Sequence, residues 1–296
     1  MGEKRPFFSI IIPTYNRPRQ LYECLKSIER LEFPKKRFEV IVVDDGSKTP
    51  LRKLIRSFEN HFSAKLIQQS NAGPAAARNA GASIAMGDLV VFTDDDCLAL
   101  PNWLSKLENR FNQNPKNVIG GRTINALENN SFAATSQLII DAAYQYHNAD
   151  FANARFFASN NMAVPATLFR SIGGFDARFW TSEDREFCDR WLWRGYRMTY
   201  APEIVVYHVN PLRLQTYLRQ HFNYGRGAFR FHLFRTKRHG LPMSLESKSF
   251  YAHLLIYPIV RKRYKEVIFS EALLLLSQAA SLLGYLAERR SWRFNK

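Results

Sequence analysis

The chain has 296 residues, 46% hydrophobic and 23% charged, which excludes a wholly disordered, fibrous or collagen-like protein and fits one large domain or a domain with an appendage. With 42 Lys and Arg against 26 Asp and Glu the formal charge is +16, so an anionic ligand or surface is expected. The charge is uneven: residues 1–189 hold 23 basic and 21 acidic side chains, residues 190–296 hold 19 and 5.

In chain order, FSIIIP (8–13) reads as a buried strand, and Leu21, Cys24, Leu25 and Ile28 recur at helical spacing before the β-branched run FEVIVV (38–43). Thr49 and Pro50 suit an N-cap and first helical position ahead of Leu51, Leu54, Ile55, Phe58 and Phe62, and AKLIQQ (64–69) reads as the next strand. A small-residue helix over 75–85 leads to DLVVFT (88–93). Strands apolar on both faces between helices predict a mostly parallel sheet in an α/β layer fold.

Beyond Pro101, Leu104, Leu107 and Phe111 mark a helix, and the pattern then weakens to about residue 165. An aromatic-rich helix is expected from Thr181 to Arg194, with Gly195 at its C-terminal cap, followed by two short strands in RMTYAPEIVVYHV (197–209) broken at Pro202. After Pro211 the chain turns basic, aromatic and helical, which sets a boundary near residue 210. Cys24, Cys97 and Cys188 are odd in number and far apart without C-x-x-C spacing, which speaks against a disulfide framework or zinc site and for a reducing compartment. The N-terminal apolar run stops at Pro13 after six positions, short for a signal peptide, so a cytoplasmic chain is expected.

Four motifs end strands, where open parallel sheets gather ligands: PTYNR (13–17), VVDDGS (42–47), NAGPAAARNAG (71–81) and FTDDDC (92–97). Singly, each is ordinary turn chemistry. Asp94, Asp95 and Asp96 repel one another unless a cation is near, and an Asp-x-Asp pair suits magnesium or manganese; a solvated acidic turn is the alternative. Thr181 and Asp184 have capping-box spacing, yet a carboxylate kept ionised at a helix N-terminus can also take a proton from a hydroxyl. His208 alone reads as structural.

Taken together and in order, IIPTYNR, VVDDGS, NAGPAAARNAG, FTDDDC, NNMAVP, GGFD, SED and YHV resemble the family 2 glycosyltransferases across roughly residues 7–210. The resemblance implies a GT-A-like, Rossmann-type sandwich (1–210) with a C-terminal helical appendage (211–296), and a nucleotide-diphosphate sugar donor, commonly a uridine diphosphate sugar, lying across the sheet edge. Pro13, Thr14, Tyr15, Asn16, Arg17, Asp44, Asp45, Arg78, Asp94 and Asp95 would bind the donor, and Asp96 with His208 would hold Mn2+ or Mg2+. Asp184 would be the general base, with Gly173, Gly174, Trp180 and Glu183 bordering the acceptor. One base without a carboxylate nucleophile in the motif set implies inversion. The acceptor would be a saccharide or lipid-linked saccharide in cell-surface polysaccharide or glycolipid synthesis. Processive members carry a Gln-x-x-Arg-Trp motif and several membrane-spanning helices; QHFNYGRGAFR (220–230) stands in that place, so single-sugar transfer is expected.

Two other functions compete. Sugar-phosphate nucleotidyl transfer would call for a glycine-rich first loop, where this chain has PTYNRPRQ. Nucleic-acid binding would use the C-terminal charge and Phe222, Tyr224, Phe229 and Phe231, but leaves the acidic triplet unexplained, so no nucleic-acid partner is expected. ALLLLSQAASLLGYL (272–286) is 15 residues, short of the roughly 20 needed to span a bilayer. It reads either as a core helix or as an interfacial helix that, with Arg261, Lys262, Arg263 and Lys265, meets an anionic membrane at the inner face of the cell membrane.

Overall fold

A computed structural model describes residues 6–240, 242–243, 246–261 and 264–294. The strands are β1 (Phe8–Thr14), β2 (Phe38–Asp44), β3 (Ser63–Gln68), β4 (Leu89–Phe92), β5 (Cys97–Ala99), β6 (Val118–Asn125), β7 (Met162–Pro165) and β8 (Met198–His208). The helices are α1 (Pro18–Glu29), α2 (Arg52–Arg56), α3 (Pro74–Ile84), α4 (Trp103–Gln113), α5 (Ser131–His147), α6 (Ala166–Ser171), α7 (Glu183–Trp193), α8 (Leu214–His239), α9 (Lys248–Arg261) and α10 (Tyr264–Phe294).

One sheet runs β3-β2-β1-β4-β7-β6-β8-β5. The first four strands are mutually parallel, as are β6 and β8, while β7 and β5 pair antiparallel with their neighbours. Ile10 and Ile12 of β1 face a core with α1, α2 and α4, whereas Ile11 between them faces α3, α6 and α7. That two-sided burial is why β1, β2 and β4 read as continuous apolar runs. The edge strand β3 is only half-buried.

Helix α3 lies close on the sheet because it is built of small residues: a Cβ on Gly81 would come within 2.6 Å of Ile11. It packs on β1 and β2, and the loop leading into it is held by Asp45 at the end of β2.

Several local expectations change. Helix α2 starts at Arg52 after Leu51 with no side-chain cap, so Thr49 and Pro50 belong to the preceding loop. Pro202 does not break the last strand; β8 continues through it by a register shift opposite Gly121 and Arg122, and a bulge accommodates a residue without an N–H. The weakly patterned stretch before 165 holds β6 and α5, the latter capped by Asn130 accepting from the Ala133 N–H. Three buried cysteines are free.

Helix α10 runs 31 residues, well beyond the apolar segment expected from sequence. Within it, Ile268–Arg293 is long and apolar enough to cross a membrane, and a third of its most apolar window is buried. It lies parallel to α8: Tyr217 donates to the Leu273 carbonyl, Ser281 to that of His221, and Arg226 and Arg230 both bond Glu288. Glycines permit this approach, since a Cβ on Gly225 would fall 1.8 Å from the Ser281 carbonyl oxygen and one on Gly284 1.9 Å from that of Phe222. The opposite side of α10 leaves Leu275, Leu276, Leu282 and Leu283 exposed.

Candidate active site

The C-terminal ends of β1, β2 and β4 open into one cleft of about 1780 Å³, whose lining includes Pro13, Tyr15, Asp45, Arg78, the Asp94–Asp96 triplet, Trp180, Asp184 and His208. Tyr15 and Trp180 are exposed at its rim. Trp180 lies over the loop before α3, close enough that a Cβ on Gly73 would meet its ring at 3.3 Å, and Gly73 itself sits at φ +89°.

Beneath that rim the first-strand loop and the acidic triplet are tied together. Thr14 donates to Asp95 at 2.7 Å, and the Arg17 guanidinium reaches Asp95 at 3.2 Å and Asp96 at 2.9 Å. Asp95 is pushed up to about 6 by burial, against the pull of Arg17 and Thr14. Burial acts in the same direction on Asp96, but His208 and Arg17 outweigh it and hold this carboxyl below its ordinary value. His208 ends β8 opposite Cys97, and its ring is held above the ordinary imidazole pKa because Asp96 overcomes the effect of burial.

The Nε2 of His208 stands 3.2 Å from Asp96 Oδ1, yet the two are not aligned as a hydrogen bond, and this buried oxygen has no other partner among the described residues. A buried carboxylate oxygen that meets an imidazole nitrogen but accepts no hydrogen bond among the described residues is an arrangement a divalent cation would complete. Asp96, Cys97 and His208 lie within ligand reach of one another. Burial keeps the Cys97 thiol strongly protonated, so the carboxylate and imidazole are the donors suited to manganese or magnesium.

Arg78, on α3, connects the two ends of the cleft. Its guanidinium is 4% exposed and bonds Asp94 at 2.6 Å and Glu183 at 2.7 Å. Burial would lower its pKa, but Asp94 and Glu183 raise it. Glu183 is thus engaged by Arg78 at the cleft wall, a contact the expectation of an acceptor-facing residue did not include.

Next to it, Asp184 is pushed up to about 7 by burial, with Glu183 adding to the shift. It keeps part of its surface open to the cleft although protein crowds it on every side. The expected capping box is absent: Ser182 is the N-cap in the left-handed region at φ +67° without a side-chain cap, and Thr181 donates instead to the Asn223 carbonyl. Asp184 accepts from the N–H of Arg185 at 2.7 Å and, more loosely, from that of Ser159 at 3.4 Å. Its carboxylate therefore takes up one first-turn N–H of α7 without forming the capping box expected with Thr181. A non-glycine residue in that backbone region is uncommon and costs strain that its surroundings must hold.

Other expected residues hold the loops around the cleft, and of these Asp45 also lines it. Asp45 accepts from Gln69 and from the N–H groups of Ala72 and Gly73, fixing the loop into α3. Asp44 accepts from the Ser47 N–H, and Asn16, at φ +56°, accepts from the Lys48 N–H. Both shape the loop floor without lining the cleft. Gly173 and Gly174 form a turn after α6 outside it, at φ +88° and +63°.

Sequence reasoning did not assign Tyr224, Gln220 or His221 of α8, all of which line the cleft. The signal was the glycine pair in QHFNYGRGAFR: Gly227 lets α8 pass against Thr181 and Ser182, and Gly225 lets it pack on α10. Phe229 and Phe231 are 4% exposed, too buried to stack on nucleobases.

The family described as Glycosyl transferase family 2 matches residues 9–173. The chain belongs to that family. It is 27% identical over 231 residues to glycosyltransferase AglE of Haloferax volcanii, covering 77% of this chain and 74% of that protein. It is 31% identical over 228 residues to validoxylamine A glucosyltransferase of Streptomyces hygroscopicus subsp. limoneus, covering 67% of this chain and only half of the relative. Among solved structures, mannosyltransferase PcManGT from Pyrobaculum calidifontis in complex with GDP-Man and Mn2+ aligns with TM-score 0.64 at 18% identity, over 94% of this chain and 74% of that one. Staphylococcus aureus TarS residues 1–349 in complex with UDP-GlcNAc aligns with TM-score 0.65 at 18% identity, over 98% and 92%. The fold is that of the GT-A glycosyltransferases.

Proposed function

We propose that this chain transfers a single sugar from a nucleotide-diphosphate sugar, with a uridine diphosphate sugar as the first donor to test, to an acceptor hydroxyl with inversion at the anomeric carbon. The observation that carries this reading is the joining, by buried Arg78, of the Asp94 end of a cleft to the Glu183–Asp184 end. One end is built to receive an anionic diphosphate and the other to receive a proton.

In this reading Tyr15 and the Pro13–Thr14 strand end border the base, while Asp94 and Asp95 border ribose and sugar. Arg17 offers a guanidinium that can turn from the carboxylates to phosphate oxygens, since its side chain is 47% exposed. Asp96 and His208 would hold the divalent cation, which supplies positive charge to the departing diphosphate. Asp184 takes the proton of the acceptor hydroxyl; a carboxyl with a pKa near 7 is a stronger base than an ordinary aspartate, yet half ionised near neutral pH. No bond forms between the protein and the sugar, so displacement from the face opposite the diphosphate inverts the centre.

Residues 1–210 form the proposed catalytic unit and residues 211–296 its acceptor side. The enzyme is taken as cytoplasmic and seated peripherally on a membrane; supporting a peripheral seat rather than a crossing is Glu288, a carboxylate inside the Ile268–Arg293 segment that pairs with Arg226 and Arg230 of α8. The test is nucleoside diphosphate release from a panel of nucleotide sugars with manganese, magnesium or chelator present. Release that is metal-dependent and lost in Asp96→Ala supports the assignment; no release from any donor would sink it.

A further inference from the structure

Past Asp184 the cleft continues between α5, α8, α9 and α10, and its character changes twice. First comes a cationic chamber. Arg155, Arg185 and Arg235 line it with His147, His232 and Glu246. Arg185 is stacked on Phe231 at 4.2 Å and bonded to Glu246, which is thereby neutralised. Arg235 reaches Asp189 only at 3.4 Å, and that carboxylate already accepts from Arg238 at 2.5 Å. Arg155 is exposed and has no ion pair among the described residues. Both imidazoles are held neutral at about 4, by burial and with the arginines adding to the shift.

Beyond the arginines the lining turns apolar. Ile140 and Ala143 of α5 and Leu254 of α9 line this stretch. On α10, which packs on α9 and α5, Leu275, Leu282 and Leu286 recur at helical spacing in the same lining, each at least 46% exposed. From Leu275 to Leu286 this stripe spans about 17 Å at 1.5 Å per residue. It is continuous with the exposed apolar side of α10 and ends at Arg289.

We propose that this extension binds a lipid phosphate: the phosphate of a lipid-linked saccharide sits on Arg155, Arg185 and Arg235, its apolar chain runs along the α10 stripe into the membrane, and the sugar it carries presents its hydroxyl to Asp184. The assignment of acceptor rests on the glycosyl-transfer reading above. The chemistry is complementary at each step. One carboxylate is satisfied by one guanidinium fork, whereas three guanidinia left with a cationic excess suit a group with several charged acceptor oxygens. A free sugar or a polysaccharide end has no use for an exposed leucine stripe opening from the same cleft, because apolar faces of this kind mark contact with lipid or an apolar partner.

The experiment uses the full chain and phosphatidylcholine vesicles doped either with a long-chain polyprenyl phosphate or, at equal charge, with phosphatidylglycerol. Flotation is expected to favour polyprenyl phosphate. Arg155→Gln combined with Arg235→Gln, both on accessible side chains, should weaken that preference roughly tenfold or more, as expected for lost charge-assisted contacts. Leu282→Glu should weaken binding to both vesicle types, with thermal melts checking that each variant folds. Equal flotation on both lipids, unchanged by the arginine variants, would reduce the chamber to a general anionic surface and overturn the proposal. Complete displacement by inorganic phosphate equimolar with the lipid phosphate would show that the tail contributes nothing, and would overturn the lipid assignment. Nucleotide-sugar hydrolysis by the unmodified chain is followed in parallel. Its failure would strike the glycosyl-transfer reading alone, since vesicle preference is read without donor.

Discussion

The sheet half, β1 to β4 with α1 to α3, and the helical pair α8 and α10 both rely on glycine for close approach, but to opposite ends. In the sheet half Gly81 lets α3 sit on strands that are buried on both faces, and the result is a closed layer with the cleft at its strand ends. In the helical pair Gly225 and Gly284 bring two long helices together along one line, and the far side of α10 stays uncovered. A layer sealed on both sides positions charge, because Asp95, Asp96 and Arg78 are held where water is scarce. A pair sealed on one side offers surface. In the proposed function the donor end of the cleft falls on the first region and contact with a larger acceptor on the second, with Asp184 of α7 between them.

That division can be broken most severely at Asp184. Asp184→Asn is expected to lower turnover by roughly 100-fold or more, the scale of a lost general base, while nucleotide affinity is retained. Turnover close to the parent, measured by product release, would return Asp184 to a structural role. The same substitution reads the carboxylate's surroundings. Its folded pKa of about 7 stands above the ordinary 3.8, so the stability associated with its bound proton is present below pH 3.8 and is lost as pH rises through 7. Asn has no proton to lose, and the melting temperature of the variant relative to the parent should therefore climb between pH 5 and about 8.

Activity should carry the matching signature. Below the Asp184 pKa, kcat/KM is expected to fall about tenfold per pH unit, with the bend near 7. A profile flat from pH 5 to about 8 would remove this carboxylate as the base. At the other end of the cleft, Asp96→Ala should weaken manganese-dependent binding of a nucleoside diphosphate by about tenfold or more in calorimetric titration, because the alanine removes the carboxylate of the Asp96, Cys97 and His208 group. Unchanged affinity would detach the metal from this pair.

The mildest effects on the catalytic end are expected from the helical glycines. Gly225→Val places side-chain atoms on the Ser281 carbonyl and should destabilise the α8–α10 contact by about 1–3 kcal/mol. Hydrogen exchange would rise in α10 while nucleotide affinity persists. Gly81→Val, against Ile11 and Val43, should cost nucleotide affinity as well, since it pushes α3 and Arg78 away from the triplet. Equal loss of nucleotide affinity in both variants would mean that the two regions are one cooperative unit.

Much of the donor half was legible from sequence. Apolar runs such as FEVIVV announce strands buried on both faces, and turn residues at their ends announce where ligands collect, because both signals are encoded within a few neighbouring residues. The order of those motifs carried the family. Legibility failed where local rules were overridden: Thr181 and Asp184 have the spacing of a cap, but Ser182 is the N-cap, in a left-handed conformation, and Thr181 donates instead to the Asn223 carbonyl. Pro202 should end a strand, yet the register shift in β8 absorbs it.

The sequence by itself determined the strand-helix succession, the acidic triplet, the uneven charge and the family. Only the tertiary structure decided that Arg78 is shared between Asp94 and Glu183, that Asp96 faces His208, that Asp184 loses hydration, and that α10 lies parallel to α8 with one side left open. The basic cluster Arg261, Lys262, Arg263 and Lys265 lies outside the residues whose side chains are described. The physical reason for the division is range. Periodicity and turn chemistry act over a handful of residues, whereas desolvation, ion pairing and helix contact join groups as far apart as Arg78 and Glu183, separated by 105 positions, and beyond, and exist only once the chain has closed around them.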